Sequence, residues 1–165
     1  MNYTYLDSPT GPLLLAGDEE GLSLIHFCDG TIPRKPDPEW QQDARPFVEA
    51  MAQLNAYFAG ELLDFQLRLN PRGTPFQLGV WKALCQIPYG HTISYGELAR
   101  RIGKPSASRA VGLANGANPI AIVIPCHRVI GSDGKLTGYG GGLSNKRRLL
   151  DLERSHSGVM LPGLT

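Results

Sequence analysis

The sequence predicts an α+β protein in two parts, residues 1–72 and residues 73–165. Short apolar segments between turn residues predict a small sheet in the first part. Two hydroxyl residues, each followed three positions later by Gln or Glu, predict helix starts in the second part. Lys and Arg number five against eleven Asp and Glu in residues 1–72, and eleven against four in residues 73–165. A basic part beside an acidic part favours a polyanionic partner, with a chance division of charge as the alternative.

Composition argues against several classes of protein. No run of about 18 apolar residues is present that would predict a membrane helix. The N-terminus has no basic segment followed by an apolar core, so we expect no secretory signal and a cytoplasmic location. The three cysteines, Cys28, Cys85 and Cys126, are widely spaced, which indicates neither a disulfide framework nor a zinc pair. We therefore expect free thiols and no bound metal.

The first part begins with three strand candidates joined by short turns, which suits an antiparallel meander. They are Tyr3–Leu6, Leu13–Ala16 and Leu22–Phe27. Apolar residues at helical spacing predict a helix over 47–58 that Gly60 stops. Alternating apolar residues predict one more strand, namely Phe65, Leu67 and Leu69. The sequence Asn70-Pro71-Arg72-Gly73 predicts the boundary between the two parts.

The second part begins with a well-marked helix. Thr74 is the predicted N-cap, Pro75 suits the first helical position, and Gln77 completes a capping box. The helix should run to about Gln86, and we expect Cys85 to lie in the core rather than in a catalytic site. The predicted inward face holds Phe76, Val80, Trp81 and Leu84.

Two further short helices are predicted, joined by a turn that contains glycine. Ser94 with Glu97 marks a second capping box, and Ser106 is the predicted cap of the third helix. The third helix should turn small residues inward, namely Ala107, Ala110, Val111 and Ala114, and leave Arg109 exposed. This outline is that of a DNA-binding helix-turn-helix, with an ordinary pair of surface helices as the alternative.

The residues that carry chemistry follow a buried segment. Residues 120–124 are an apolar run that ends at Pro125-Cys126-His127-Arg128. Cysteine attacks as its thiolate, which a proton-accepting imidazole and a nearby positive charge both favour. Because neighbouring side chains normally point apart, a direct contact between Cys126 and His127 is not guaranteed, and a bridging water could carry the proton. The alternative is an inert core cysteine.

A carboxylate completes this pair in our interpretation. A final helix, capped at Ser144, is predicted to carry Glu153 on its apolar side, where a carboxylate needs a partner. A carboxylate on the second imidazole nitrogen sets the tautomer and raises the basicity of the ring. We therefore predict a relay from Cys126 through His127 to Glu153. Pairing of Glu153 with Lys146 or another surface base is the alternative.

A glycine-rich loop, Gly138-Tyr139-Gly140-Gly141-Gly142, follows the cysteine in the chain. Glycine lets a flat ligand approach the backbone closely. The loop is not a phosphate-binding loop, because no Gly-Lys-Ser/Thr follows it. A flexible surface loop is the alternative.

At these residues the chain resembles a known family. The segment Ile124-Pro125-Cys126-His127-Arg128-Val129-Ile130 resembles the active-site signature of the methylated-DNA–protein-cysteine methyltransferases, also called O6-alkylguanine-DNA alkyltransferases. The resemblance covers Gly73–Glu153 nearly without gaps and the first part more loosely. It implies an RNase-H-like α/β domain over residues 1–72 and a winged helix-turn-helix domain over residues 73–165 that binds DNA and transfers alkyl groups.

The resemblance also implies a reaction and the residues that perform it. The reaction is DNA repair by single, irreversible transfer of the alkyl group of O6-alkylguanine, and of O4-alkylthymine, to Cys126. His127 and Glu153 match the activating residues. Asn118 matches an asparagine that braces the turn before the active site, and Tyr95 a tyrosine that hydrogen-bonds the extruded base. Because the DNA itself supplies the alkyl group, we expect no cofactor.

The implied partner is double-stranded DNA, bound through the minor groove by a chain that is a monomer when free and has no membrane partner. Arg109 matches the arginine that enters the duplex and fills the gap left by the extruded nucleotide. Small residues on the same helix allow a close approach to the groove. The other predicted DNA contacts are Ser94, Tyr95, Ala110 and Arg128.

The predicted pocket for the alkylated base is lined by Tyr139, Gly140 and Val129. Gly140 stands where many relatives have serine, and Ala121 where some have proline, so both are expected to affect the size of alkyl group accepted. Some relatives hold structural zinc in the first part. Here His26 and Cys28 lack companion ligands, so we predict no zinc.

Two other functions are compatible with parts of the sequence. One is a non-catalytic protein that binds alkylated bases. Relatives of that type replace the acceptor cysteine, whereas Cys126 is present. The other is a cysteine hydrolase built on Cys126 and His127, which would need an oxyanion hole for which the sequence offers no clear candidate.

Overall fold

The structure of the protein is a computed structural model that describes residues 1–32 and 34–157. Within these ranges the first sheet has the strand order β3-β2-β1-β4. Its strands are β1 (Asn2–Leu6), β2 (Leu13–Asp18), β3 (Gly21–Phe27) and β4 (Gln41–Gln42). The first three form the predicted antiparallel meander. Strand β4 pairs in parallel with β1 and was not predicted, because two exposed glutamines carry no apolar alternation.

Helix α1 (Val48–Phe58) covers one face of this sheet and confirms the predicted amphipathic helix. Its buried residues Ala50, Leu54 and Tyr57 belong to the same core as β2 and β3. The chain leaves the helix through Gly60, whose φ of 77° is in the left-handed region that glycine adopts without strain. The predicted stop at Gly60 is therefore confirmed.

The strand predicted over 65–69 is wrong. Within that segment Leu69 alone forms a bridge, to Leu22 of β3. The backbone of Gln66 is hydrogen-bonded to the Gln53 side chain instead. Gln53 Oε1 accepts from the Gln66 N–H at 2.8 Å, and Gln53 Nε2 donates to the Gln66 carbonyl at 3.1 Å. Burial alternates along the segment, but the backbone hydrogen bonds of Gln66 go to a side chain, and in the described ranges only Arg68 and Asn70 bond to the backbone of β3, at Leu22.

Helix α2 (Pro75–Leu84) confirms the first capping box. The Gln77 N–H donates to Thr74 Oγ1 at 3.1 Å, and the Thr74 N–H donates to Gln77 Oε1 at 2.9 Å. The helix ends at Leu84, two residues earlier than predicted. Cys85 follows it and is exposed, so its predicted place in the core is wrong.

Helices α3 (Tyr95–Arg101) and α4 (Ser108–Gly116) form the predicted helix pair. The second capping box is only half formed: Ser94 Oγ accepts from the Glu97 N–H at 3.1 Å, while the Glu97 carboxylate pairs with Arg100 and Arg101. Two arginines one turn further along the helix attract the carboxylate more strongly than a backbone N–H does.

The start and the inner face of α4 differ from the prediction. Its N-cap is Ala107, without a side-chain cap, so the predicted cap at Ser106 is wrong. Ala110 is exposed beside Arg109, whereas Asn115, which was not predicted to face inward, is buried. A polar residue on the inner face interrupted the apolar pattern from which the helix phase was predicted.

Helix α5 (Leu143–His156) closes the described part of the chain. Its N-cap is Gly142 at φ 95° rather than Ser144, which lies inside the helix. The helix continues through His156. Residues 158–165 lie outside the described residues. In the described ranges every helix is too short or too polar to cross a bilayer.

Strand β3 connects the first part to the segment that precedes Cys126. The Ile25 N–H donates to the Pro119 carbonyl at 2.9 Å, and the Ala121 N–H donates to the Ile25 carbonyl at 3.2 Å. Residues 120–124 are buried as predicted, but they coil rather than extend, and Ile122 has a φ of 73°. This conformation is unfavourable for a β-branched residue, so the surrounding packing must hold the segment in place.

A short parallel pair of strands, β5 (Ile93–Ser94) and β6 (Val129–Ile130), lies beside the helix pair. It joins the N-terminus of α3 to the segment just after Cys126. Backbone pairing therefore connects the predicted DNA-binding helices to the segment of the predicted nucleophile.

Candidate active site

Cys126 begins a single turn of 3-10 helix, Cys126–Arg128, directly after the coiled segment. The side chain is 5% exposed. It faces a cavity of about 70 Å³ between the two parts of the chain. The lining includes Ile25, Phe27 and Ile32 from the first part, and Asn118, Ala121, Tyr139 and Gly140 from the second. The residue predicted as the nucleophile therefore lines a cavity and is not fully enclosed by protein atoms.

The thiol is the resting form of Cys126. Burial raises the pKa of the Cys126 thiol, and the side chains of Asn118 and Tyr139 and the Lys146 ammonium offset only part of the rise. The Tyr139 hydroxyl, which has no other partner of regular geometry among the described residues, faces the sulfur. The resting site therefore does not favour the thiolate of Cys126, contrary to what the sequence had led us to expect. The thiol proton must leave during the reaction.

His127 lies fully buried with its two nitrogens in different surroundings. Nε2 is 2.6 Å from Glu153 Oε2. An ionised carboxylate only accepts hydrogen bonds, so Nε2 carries the proton and donates it. Nδ1 is then a bare acceptor, and it has no partner within the described ranges. Burial lowers the pKa of His127, although the Glu153 carboxylate opposes this effect, so the ring rests neutral.

Glu153 is held by more donors than the predicted relay required. Besides His127, it accepts from Arg128 Nε at 2.8 Å and Nη2 at 3.0 Å, from the Tyr57 hydroxyl at 2.7 Å and from the Gly90 N–H at 3.2 Å. Burial raises the pKa of Glu153, but these charges and hydrogen bonds outweigh it and hold the pKa well below its usual range. The alternative partner, Lys146, is not among them.

Arg128 does not face solvent, and its prediction as a DNA contact is wrong. Its side chain is 8% exposed, and besides Glu153 it donates from Nη1 to the Ile87 carbonyl at 2.6 Å. A buried carboxylate requires a charged partner, and Arg128 supplies it with two parallel hydrogen bonds. Its place next to His127 in the sequence gave no indication of this role.

Lys146 is a buried cation that sequence reasoning did not place in the site. Its Nζ donates to the carbonyls of Val129 at 2.7 Å and Thr137 at 3.0 Å, and it lies 5.8 Å from the centre of the Tyr139 ring. A signal was available: Lys146 stands seven residues before Glu153, on the same face of α5.

Val129, whose carbonyl accepts this hydrogen bond from Lys146, is fully buried and does not line the cavity, so its predicted pocket role is wrong.

Asn118 lies where a bracing residue was expected. Its Nδ2 donates to the Ile124 carbonyl at 2.8 Å, and its Oδ1 accepts from the Ile120 N–H at 3.0 Å. These two hydrogen bonds connect Asn118 to both ends of the coiled segment and stabilise its conformation just before Cys126. The geometry suits the predicted role, which stays a prediction.

The predicted DNA contacts other than Arg128 lie on the outer side of the helix pair. Arg109 and Ala110 are exposed on α4, while Ser94 and Tyr95 are partly buried at the start of α3. The Thr137 hydroxyl donates to the Tyr95 hydroxyl oxygen at 3.3 Å, which brings α3 beside the glycine-rich loop. These four residues remain predicted contacts.

The first part of the chain holds the rim of the cavity, which the sequence did not predict. Thr31 donates to the Gly140 carbonyl from both its N–H, at 3.0 Å, and its hydroxyl, at 3.1 Å. The nearby His26 Nε2–H donates a hydrogen bond to the Ile32 carbonyl at 2.6 Å. No group of three or more His, Cys, Asp or Glu that could hold a metal occurs in residues 1–32 and 34–157.

Gly141→Ala is expected to destabilise the protein by about 1–3 kcal/mol. A methyl group at this position would overlap the Phe27 ring and lie 2.8 Å from Tyr139 Cε2, and both rings are buried. Urea denaturation measures the free energy of unfolding. Gly140→Ala is the matched control, since its nearest contact would be Ile32 Cδ1 at 3.4 Å. Equal stability of the two variants would contradict this packing.

Comparisons with known proteins agree with this geometry. The model for the ribonuclease-like domain of 6-O-methylguanine DNA methyltransferase matches residues 1–71, and the model for its DNA-binding domain matches residues 75–155. A methylated-DNA–protein-cysteine methyltransferase of Methanosarcina acetivorans is 57% identical over 155 residues, which cover 94% of this chain and 99% of the relative. One of Mycobacterium tuberculosis is 56% identical over 157 residues, with 95% and 94% covered.

Solved structures lead to the same family. The crystal structure of Mycobacterium tuberculosis OGT in complex with DNA superposes with a TM-score of 0.89 at 54% identity and covers 100% of both chains. An O6-methylguanine-DNA methyltransferase of Pyrococcus kodakaraensis superposes with a TM-score of 0.61 at 25% identity, covering 92% of this chain and 98% of that one. The predicted fold, a ribonuclease-like domain followed by a DNA-binding domain, is confirmed. The chain belongs to the 6-O-methylguanine DNA methyltransferase family.

Proposed function

We propose that this chain repairs DNA by transferring the alkyl group of O6-alkylguanine, and of O4-alkylthymine, to Cys126 in one irreversible turnover. The observation that carries the proposal is the arrangement at the cavity. A thiol faces the cavity, the neighbouring buried imidazole has an Nδ1 without a partner among the described residues, and Glu153 accepts a hydrogen bond from the other ring nitrogen. This arrangement can remove a thiol proton, and the family to which the chain belongs is named for the methyl transfer that would use it.

In the proposed reaction a water relays the Cys126 proton to Nδ1 of His127, which has no hydrogen-bond partner among the described residues. Glu153 stabilises the imidazolium that forms. The sulfur attacks the alkyl carbon, the C–O bond breaks, and its electron pair leaves with the base. Tyr95 is the proposed donor of the proton that neutralises the leaving base. The product is a thioether, and nothing in this sequence of steps restores the thiol.

The proposed partner is double-stranded DNA, bound through the minor groove by α4. A target base inside a duplex must be rotated out at a cost of a few kcal/mol. Arg109 is exposed on α4 and suits insertion into the gap, while Ala110 beside it allows a close approach. The Mycobacterium tuberculosis OGT was solved in complex with DNA, which supports this assignment.

Several coarser expectations are also proposals. The division of the chain into residues 1–72 and 73–165 falls between the two ranges that the family models match. We propose a monomer in the free state that acts in the cytoplasm, with access to the chromosome.

A non-catalytic binder of alkylated bases is the second candidate function. Such a protein would have no use for the thiol, the imidazole and the carboxylate at the cavity.

The proposed function is tested with a duplex that contains one O6-methylguanine. We expect one methyl group on the peptide that contains Cys126, detected by mass spectrometry, and no more than one methyl per protein molecule. Binding without a gain in mass would favour the non-catalytic binder. Repeated turnover of substrate would favour a hydrolase instead.

Arg109→Ala is expected to slow methyl transfer from duplex DNA by about 10- to 100-fold, because the extruded state loses the side chain that fills the gap. Transfer from a free alkylated guanine base should be nearly unchanged. Single-turnover rates on both substrates measure the difference. Arg154→Ala, which removes an exposed arginine of α5, is the control. Equal loss on duplex and free base would contradict the role of Arg109.

A further inference from the structure

The relay carboxylate receives a hydrogen bond from the other domain. Tyr57 lies on α1 of the ribonuclease-like domain, 96 residues before Glu153, and its hydroxyl is 2.7 Å from Glu153 Oε2. The same oxygen accepts the His127 Nε2–H at 2.6 Å. Tyr57 is completely buried. The reaction centre of the DNA-binding domain is therefore completed by a side chain from outside it.

The direction of this bond is determined by the charges. Glu153 is ionised and has only acceptors, so the Tyr57 hydroxyl must be the donor. Burial, together with the negative charge of Glu153, raises the pKa of Tyr57 well above its usual value, so the hydroxyl keeps its proton throughout the working range of pH. Tyr57 is therefore a permanent donor to Oε2.

Three donors share the negative charge of Glu153 Oε2, namely the Tyr57 hydroxyl, the His127 Nε2–H and, at 3.0 Å, Arg128 Nη2. The bond from Tyr57 draws charge from Oε2 and weakens the pull of that oxygen on the His127 Nε2–H. The other groups that act on this site are Arg128, the Gly90 N–H and the Lys146 ammonium, of which the two cations oppose protonation of His127. Removing the hydroxyl would leave Glu153 a stronger acceptor, and the imidazolium would become more stable.

We propose that Tyr57 is a positioning residue for alkyl transfer: its hydroxyl limits the hold of Glu153 on His127 and keeps the imidazole neutral, with Nδ1 free to take the thiol proton. This inference rests on the proposed function. It assigns a part in the chemistry to the ribonuclease-like domain, which otherwise lines the cavity and supports its rim.

The test is Tyr57→Phe, with Tyr89→Phe as the matched control. The Tyr89 ring packs edge-on against Tyr57 at 6.1 Å, and its hydroxyl has no hydrogen-bond partner among the described residues. In Tyr57→Phe we expect the acidic limb of the pH–rate profile to move up by about one unit. The rate one unit below the wild-type midpoint then falls about ninefold, while the rate at high pH changes little. Tyr89→Phe should keep the wild-type profile.

A purely structural role would lower the rate by the same factor at every pH, and an unshifted midpoint in Tyr57→Phe would overturn the proposal. Titration of the His127 ring by NMR measures the same midpoint without any transfer, so it still tests Tyr57 if the wild-type protein transfers no methyl and the proposed function fails. If Tyr57→Phe does not fold, 3-fluorotyrosine at position 57 gives a stronger donor. It should then move the midpoint down, and a shift upward or none would overturn the proposal.

Discussion

Cys126→Ala is expected to lower methyl transfer at least about 1000-fold, to the limit of detection, while duplex binding persists. The sulfur is the group that faces the cavity beside the relay, and alanine has no atom that could accept the alkyl group. The proposed DNA contacts lie on the outer face of the helix pair, which this substitution does not reach. Transfer is measured by mass spectrometry of the protein after incubation with methylated duplex, and binding by fluorescence anisotropy.

The other two cysteines supply matched controls for this prediction. Cys85 is exposed and Cys28 is half-buried, and neither lines the cavity. Cys85→Ala and Cys28→Ala should therefore transfer methyl at the wild-type rate. Methyl incorporation that survives in Cys126→Ala would place the acceptor elsewhere in the chain and contradict the proposed reaction.

Glu153→Gln is expected to destabilise the fold by about 3–5 kcal/mol and to slow transfer strongly. The substitution leaves the Arg128 guanidinium buried without its anion and places an amide group among donors from His127, Tyr57 and Gly90. An unpaired buried charge is among the costliest defects a fold can carry. Urea denaturation followed by circular dichroism measures the loss of unfolding free energy, and single-turnover kinetics measures the rate of methyl transfer.

The stability lost in Glu153→Gln should depend on pH. The folded pKa of Glu153 lies below its value of 4.5 in an unfolded chain, so its stabilising effect is complete above that value and is lost as the pH falls toward the folded pKa. The difference in unfolding free energy between wild type and variant should therefore shrink below about pH 4.5. Asp151→Asn, on the exposed side of the same helix, is the control and should change stability by less than about 0.5 kcal/mol. If Glu153→Gln lost as little unfolding free energy as this control, the result would contradict a stabilising role for the hydrogen bonds and the ion pair at Glu153.

Predictions from neighbouring residues succeeded where the interaction is local. The partners of the capping box, Thr74 and Gln77, are three positions apart, and the turns between the first strands are also short, so the local sequence contains all the partners. The same reasoning failed at Ser106 and at Ser144, where a hydroxyl residue stands near a helix start but the backbone begins the helix at another position. Cap residues indicate a helix start to within a few positions, and the packing of the helix decides the rest.

By itself the sequence determined the chemical identity of the site, since the nucleophile, its neighbouring imidazole and the family signature lie within residues 124–130. Only the tertiary structure decided what surrounds them. It buried Arg128 against Glu153, brought Tyr57 onto the same carboxylate, and placed Thr31 on the cavity rim. The physical reason is that a buried charge must gather donors from wherever the fold brings them. In this protein they come from helices and strands far apart in the chain, where no local pattern records the contact.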